Sequence, residues 1–503
     1  MKIWLDTEML SQSAMNEQDD DCRDCDECTI TPNDRVTGGF PPSEDTLHYI
    51  HTHVFHHTIP LYVQRCNNSH WLVCNPTETG SVAVLDAQAL ALLEQFRTPA
   101  SLSELKQDDP VLPLATIERA VALFYRLGFL QDLQGSSFFQ EHNQVSTLSS
   151  WLHVTNACNL RCSYCYLHKN AEHMTDDTSR QAVDAIFRSA KKHDFQRVQL
   201  KYAGGEASLH MSHVFAIHNY ASQLAQRHGV SLHAYTISNG VNLSQHSIEG
   251  LKQRNIGVTI SLDGVGSYHD AQRIFVNGQG SFKYVDRTIA RLLANGVIPH
   301  INVTVSQRNL DGLPALMEYI LIHGMSFTLS YYRDNECSAH IRDLQFAEER
   351  MIAAMRAAFA VIEQRLPRRR LLGSLIDKAN MNGMHHHTCG VGRNYLVIDQ
   401  HGGVAKCHAD IQRTVTTIQD EDPLQAVRED RAGVQGLAVE DKEGCRNCQW
   451  RYWCAGGCPL LTYRITGRSD VKSPNCSIYK ALFPEALRLE ALRLLKYEQP
   501  LAL

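Results

Sequence analysis

Long hydrophobic runs are missing from the 503-residue sequence. None approaches the ~18 apolar residues of a membrane span, so no membrane partner is expected. Met1–Leu10 is acidic and has no basic stretch ahead of an apolar one, so no secretory signal is expected there. Positive charge is not in excess either. Lys and Arg number 48 against 54 Asp and Glu, a net of −6, which gives no general attraction to nucleic acid or to an anionic surface. Without an export signal, the 16 cysteines do not read as a disulfide scaffold; in the cytoplasm such clusters are more often metal ligands. The rest, 43% apolar and 20% charged, is ordinary for a globular protein. The length suits about two to four domains.

Cysteine is what the chain has in plenty. The central stretch is Ala157–Tyr166, A-C-N-L-R-C-S-Y-C-Y, with Cys158, Cys162 and Cys165 at C-x3-C-x2-C. It follows a strand-like apolar run, Trp151–Val154. Soft thiolates this close select zinc, copper(I) or an iron–sulfur cluster. Three ligands in one loop leave a metal position open, which catalysis needs and a structural zinc site lacks. A zinc-binding loop is the alternative reading. With Tyr164 before the last cysteine, C-N-L-R-C-S-Y-C resembles the signature of the radical S-adenosylmethionine (SAM) enzymes. The resemblance implies a [4Fe–4S] cluster on the three thiolates, its fourth iron chelated by SAM. One electron then cleaves SAM to methionine and a 5′-deoxyadenosyl radical, which takes a hydrogen atom from the substrate.

Residues 148–335 alternate strand-like and helix-like segments with a period of roughly thirty residues. Strands are expected at Trp151–Thr155, Arg197–Tyr202, Ser231–Ser238, Gly257–Leu262, His300–Val305 and Ser326–Tyr332, with helices such as Thr178–Lys191 and Val214–Arg227 between them. This is an α/β pattern with a parallel sheet and right-handed crossovers. Six units make an open, partial (β/α)6 barrel, which the resemblance also implies. Ligand sites lie at the C-terminal ends of such strands, and the motifs land there. Ala203-Gly204-Gly205-Glu206 follows the second strand; its glycines let backbone approach a ligand. By resemblance this turn meets the SAM amino group, with Ala207 where the related motif has proline. Ser238-Asn239-Gly240 ends the third strand. Ser261-Leu262-Asp263-Gly264 ends the fourth, and Arg273 follows. The resemblance implies that Tyr164, Gly204, Gly205, Glu206, Ser238, Asn239, Ser261, Asp263 and Arg273 bind the cofactor. Taken singly, each motif also reads as a capped turn.

Residues 386–480 hold Cys389, Cys407, Cys445, Cys448, Cys454, Cys458 and Cys476. The spacing resembles the SPASM extension of radical SAM peptide and protein maturases; zinc knuckles are the alternative. The resemblance implies two auxiliary [4Fe–4S] clusters, one on Cys445, Cys448, Cys454 and Cys476 and the other on Cys389, Cys407 and Cys458. Fully ligated relatives have an eighth cysteine just before the first. Here His385-His386-His387 stands in that region, so an open iron or a histidine ligand is expected. Sulfatase-activating relatives place an aspartate directly after the cysteine matching Cys407; here it is His408, with Asp410 two further on. These two are the catalytic candidates, His408 as a proton acceptor near neutral pH.

The flanks are less specific. Residues 1–46 read as a flexible acidic arm that contains Cys22, Cys25 and Cys28, either a metal or redox site or a solvated tail. Residues 47–134 read as a small domain: strands at Leu61–Arg65 and His70–Asn75, a helix bearing Leu85, Ala89, Leu92, Leu93 and Phe96, a short one capped by Ser101 and Glu104, and a third closed by Gly128. This resembles the winged-helix domain that binds leader peptides, which add as a strand to its sheet edge. His51, His53, His56 and His57 could bind metal but read as inert. Residues 336–385 form a helical connector with a helix over Leu344–Arg365. Its basic run, Arg365, Arg368, Arg369 and Arg370, reads as a solvated linker before an acidic-peptide site. Cys337 reads as a plain thiol, and 481–503 as a closing helix with a leucine stripe. Together these features point to a cytoplasmic, oxygen-sensitive radical SAM enzyme that cross-links, oxidises or epimerises a ribosomally made peptide. It would draw electrons from a flavodoxin or ferredoxin, and no nucleic acid is expected. The alternatives are an anaerobic sulfatase-activating maturase and, outside enzymes, a metal-binding winged-helix regulator.

Overall fold

The structure is a computed structural model that describes residues 1–6, 44–58, 61–77, 81–108, 112–134 and 145–503; Cys22, Cys25 and Cys28 lie outside them. The chain opens with β1 (Lys2–Leu5), whose Ile3 and Leu5 are buried. The arm expected over 1–46 therefore begins as a paired strand, and its end belongs to α1 (Glu44–Thr52). Then come β2 (Val54–His57), β3 (Tyr62–Arg65), β4 (His70–Cys74), β5 (Val82–Asp86), α2 (Ala87–Glu94), β6 (Ala100–Ser101), α3 (Leu102–Asp108), α4 (Leu114–Arg126) and β7 (Leu130–Asp132). Leu85 sits in β5 rather than on the helix. Asp86 stops the strand and caps α2, its carboxylate accepting from the Ala89 N–H. Gly128, at φ 67°, lets the chain turn back after α4. The four histidines do not gather: His51 pairs with Glu118, His53 meets the Tyr49 carbonyl, His56 the His57 carbonyl and His57 the Leu93 carbonyl.

The barrel follows the apolar runs. β8 (Thr147–Thr155), β9 (Arg197–Gly204), β10 (Ser231–Ser238), β11 (Gly257–Ser261), β12 (His300–Val305) and β13 (Ser326–Tyr331) are parallel and adjacent in sequence order. β8 is buried at every position, as a parallel strand covered on both faces must be. The crossovers include α5 (Asp176–Lys192), α6 (Met211–His228), α7 (Gln245–Gln253), α8 (Phe282–Ala294) and α9 (Leu313–Ile322). α5 is capped by Thr175 and has Asp176 and Asp177 in its first turn and Lys191 and Lys192 in its last, so its charges oppose the helix dipole. α10 (Glu348–Gln364) follows the barrel.

The cysteine-rich segment is joined to the barrel by sheet hydrogen bonds. β14 (Tyr395–Ile398) pairs parallel with β8, and β15 (Gly403–Ala405) and β16 (Thr414–Thr417) continue the sheet antiparallel. The chain ends with α11 (Pro423–Glu429), α12 (Pro459–Thr466), α13 (Cys476–Tyr497) and β17 (Leu501–Ala502). Among the described residues no helix is long and apolar enough to cross a membrane.

Both chain ends meet in the N-terminal sheet, whose order is β17–β1–β5–β4–β3. Asp6 closes this join by accepting from Arg370 and from the buried Arg493, which also donates to Glu490 and to the Arg368 carbonyl. Arg369 donates to the Met325 carbonyl, and Arg365 pairs with Glu318. The basic run is thus tied down residue by residue and is not a solvated linker. Asp6→Ala leaves two largely buried guanidinium groups short of an acceptor, which costs about 1–3 kcal/mol. Urea unfolding is expected to show that loss; a change under about 0.5 kcal/mol, the range of ordinary surface substitutions, would contradict it.

Candidate functional site

The loop after β8 carries Cys158, Cys162 and Cys165, and it is stitched to the glycine turn after β9. The Gly205 N–H donates to the Thr155 carbonyl at 2.7 Å, and the Glu206 N–H to the Ala157 carbonyl at 2.9 Å. There is no space for side chains here. A Cβ on Gly204, at φ 154°, would lie 2.3 Å from the Thr155 carbonyl oxygen, and one on Gly205 2.4 Å from that of Ala157. The three cysteines are free thiols. Burial pushes Cys162 up to about 12; Arg273 opposes that shift, while Cys165 and Cys158 add to it. Such thiols give up their protons to a bound metal.

The residues read as cofactor contacts come together around this loop, but mainly on one another. The Glu206 carboxylate is buried and accepts from the Ser238 hydroxyl and from the backbone N–H groups of Ser208 and Asn239. Burial pushes its pKa up and those donors pull it back. Asn239 also donates to Asn159 at 2.7 Å and reaches Cys158 Sγ at 3.9 Å. Asp263 accepts from Arg273 at 2.7 Å, from the Tyr164 hydroxyl at 2.7 Å and from the Thr304 N–H at 2.8 Å. The Arg273 guanidinium lies 5.3 Å from the Tyr164 ring centre and 4.0 Å from Cys162 Sγ. Ser261 is buried at the end of β11. Cys337 is not isolated: its sulfur is 3.5 Å from His168 Nε2. No local spacing marks this pair, whose members lie 169 residues apart in the chain.

The seven cysteines of residues 386–480 form two groups. Cys445, Cys448, Cys454 and Cys476 line one small pocket with Trp450, Tyr479 and Phe483. Burial pushes Cys445 to about 11 and Cys454 to about 12. Cys407, pushed to about 12 by burial, is raised further by Cys458 and Cys389. Among the described residues no three of His, Cys, Asp and Glu draw close enough to hold a single metal ion. A four-iron cube instead needs its thiolates spread around it, so a buried all-thiol donor set of this kind fits a cluster. Of the three histidines, His386 pairs with Glu440 at 2.6 Å. His387 has Nδ1 at the Gly436 carbonyl, 3.1 Å away, and is pushed down to about 4 by burial first and Arg393 next. His387 is therefore neutral near pH 7, with its proton on Nδ1 toward the Gly436 carbonyl.

One apolar cluster joins the barrel mouth to the second cysteine group. It includes Trp151, Ala203, Tyr395, Cys407 and Cys458, with Cys165, Tyr166 and Cys389 packed against it. Tyr166 is half-buried between the two groups, its hydroxyl raised by burial of the group and then by Cys165 and Cys407. His408 stacks on Trp151 at 4.5 Å and meets the Tyr395 hydroxyl at 3.2 Å. Asp410 is paired with Arg464 at 3.2 Å.

Gly205→Ala must move the backbone of the cysteine loop, and overpacking of this kind costs about 1–3 kcal/mol. The variant is expected to fold but to lose iron from this loop and to bind SAM about tenfold more weakly, 1.4 kcal/mol being a factor of ten. Iron analysis and SAM titration check this; wild-type values for both would contradict it.

Residues 152–320 match the Radical SAM superfamily. The sporulation killing factor maturation protein SkfB of Bacillus subtilis is 27% identical over 34% of this chain and 39% of its own length. The cysteine-type anaerobic sulfatase-maturating enzyme of Clostridium novyi is 26% identical over 31% of this chain and 42% of its own length. Both matches thus span less than half of the relative. The structure of anSMEcpe with bound AdoMet and Cp18Cys peptide superposes with a TM-score of 0.56 at 18% identity, covering 70% of this chain and 98% of that one, and shares the fold. Residues 152–320 of this chain are thus a radical SAM domain.

Proposed function

We propose that this enzyme modifies a ribosomally made peptide and works with three iron–sulfur clusters. Cys158, Cys162 and Cys165 would hold the [4Fe–4S] cluster that binds SAM. Cys445, Cys448, Cys454 and Cys476 would hold one auxiliary cluster and Cys389, Cys407 and Cys458 the other, its last iron left open or taken by His387. When bound, the first cluster and SAM supply the 5′-deoxyadenosyl radical. The observation that carries the reading is the shared apolar cluster: Cys407 and Cys458 are buried in it, and Cys165 and Tyr166 pack half-buried against it. A substrate carbon held there would face the radical source on one side and an electron acceptor or thiolate-binding iron on the other. The names of the relatives point the same way, since SkfB matures a killing factor and anSMEcpe is described with a bound peptide.

The chain's own residues would do three things. The glycine turn after β9 would bring bare backbone to SAM, as close approach requires. The Asp263–Arg273–Tyr164 set would keep the cluster loop rigid. His408, stacked on Trp151, would accept a proton from the substrate; Asp410 is committed to Arg464 and would act as a positioning residue. In the winged-helix-like segment over 47–134, the β5 edge is already filled by β1, so a leader strand would add to the outer edge of β3, the last strand of that sheet among those described. A flavodoxin or ferredoxin would supply electrons.

Anaerobic reconstitution tests the reading. About twelve irons per chain are expected, with 5′-deoxyadenosine formed from SAM and dithionite. Cys407→Ala should lose about four irons yet still cleave SAM. Zinc in place of iron, without 5′-deoxyadenosine, would overturn the reading. His408→Gln is expected to cut peptide modification by about 10²-fold or more, as loss of a general base does, while uncoupled 5′-deoxyadenosine formation persists. Equal loss of both would assign His408 to SAM binding instead.

A further inference from the structure

Lys442 is buried, at 2% exposure, between the two auxiliary cysteine groups. Its Nζ donates to the Ala455 carbonyl at 2.8 Å. Ala455 belongs to the short bridge Ala455-Gly456-Gly457, which links Cys454 of one group to Cys458 of the other. All three bridge residues have positive φ, at 44°, 82° and 73°. The same Ala455 carbonyl accepts the Thr388 hydroxyl at 2.8 Å, and Thr388 precedes Cys389. A Cβ on Gly456 would lie 2.6 Å from Lys442 Cδ and 2.8 Å from its Nζ, so this glycine leaves room for the lysine stem. Among the described residues no carboxylate pairs with Lys442. A buried ammonium with one neutral acceptor is costly unless a counter-charge faces it. Burial pulls the Lys442 pKa down, and Cys445, Cys389, Cys454 and Cys458, two from each group, favour its charged form.

We propose that Lys442 is a positioning cation shared by the two auxiliary clusters, favouring the reduced state of each. This rests on the two-cluster reading above. In the step concerned, one electron from an external reductant converts [4Fe–4S]2+ to [4Fe–4S]+. The cluster becomes one unit more negative, no bond forms or breaks and no proton moves. A fixed positive charge in this dry bridge stabilises the reduced form at both sites. The cluster in the barrel, on a different loop, gains nothing.

The test is an EPR-monitored redox titration of the reconstituted full chain, with iron counted in the same samples. In Lys442→Met, the ratio of reduced to oxidised cluster at a fixed potential is expected to fall about tenfold at both auxiliary sites, a shift of about 59 mV for one electron. The SAM-binding cluster should stay where it was, and Lys442→Arg should return both auxiliary potentials to near wild type. Wild-type potentials in Lys442→Met, or a shift at one auxiliary site alone, would overturn the shared role. Should Lys442→Met fail to load iron, Lys442→Arg decides: a fully loaded Arg variant with displaced potentials overturns the proposal, and one with wild-type potentials supports it. A wild-type chain holding only the barrel cluster would overturn the two-cluster reading itself.

Discussion

The functional region depends on a backbone-to-backbone contact between the cysteine loop and the Gly204-Gly205 turn. Two N–H groups of the turn reach carbonyls of the loop, and the chains approach too closely for a Cβ on either glycine. The contact sets where three thiols stand relative to the barrel mouth. Glu206, next in sequence, reinforces it by bonding the end of β10 to the same turn. A carboxylate with three donors, all buried, costs less to keep than an unpaired one, so the end of β9 is held rigidly beside the loop.

The second organising feature is the sheet that runs from the barrel into the cysteine-rich segment. β14 joins β8 in parallel register, and β8 leads into the cysteine loop. One set of backbone bonds therefore fixes where the Cys158–Cys165 loop stands relative to Cys407, which follows β15. The apolar cluster around Trp151, Tyr395 and Tyr166 then fills the space between them. Side chains from both segments pack on one another there, Cys407 and Cys458 buried and Cys165, Tyr166 and Cys389 half-buried against them.

Several sequence readings were changed by distant partners. The basic run after α10 has the composition of a solvated linker, yet Asp6, Glu318 and two backbone carbonyls hold or neighbour its arginines. The first residues read as an arm because their apolar content is low over the whole of 1–46, but Ile3 and Leu5 alone suffice once β5 and β17 offer edges on both sides. Leu85 fits a helical stripe by spacing, and the Asp86 cap moves it into a strand. In each case the deciding interaction joins residues far apart in the chain or depends on a single cap.

The sequence by itself determined the six parallel strands, the crossover helices and the thiol loop. Those follow from local periodicity and from three cysteines within one turn of chain, and both are short-range properties. It also placed Gly204 and Asp263 at strand ends, with Arg273 following. Only the tertiary structure decided that Asp263 and Arg273 neutralise each other behind Tyr164 and that Lys442 lies between two thiol groups. Those facts depend on contacts made when strands and loops distant in sequence close on one another, and spacing along a chain does not encode which buried charge will face which.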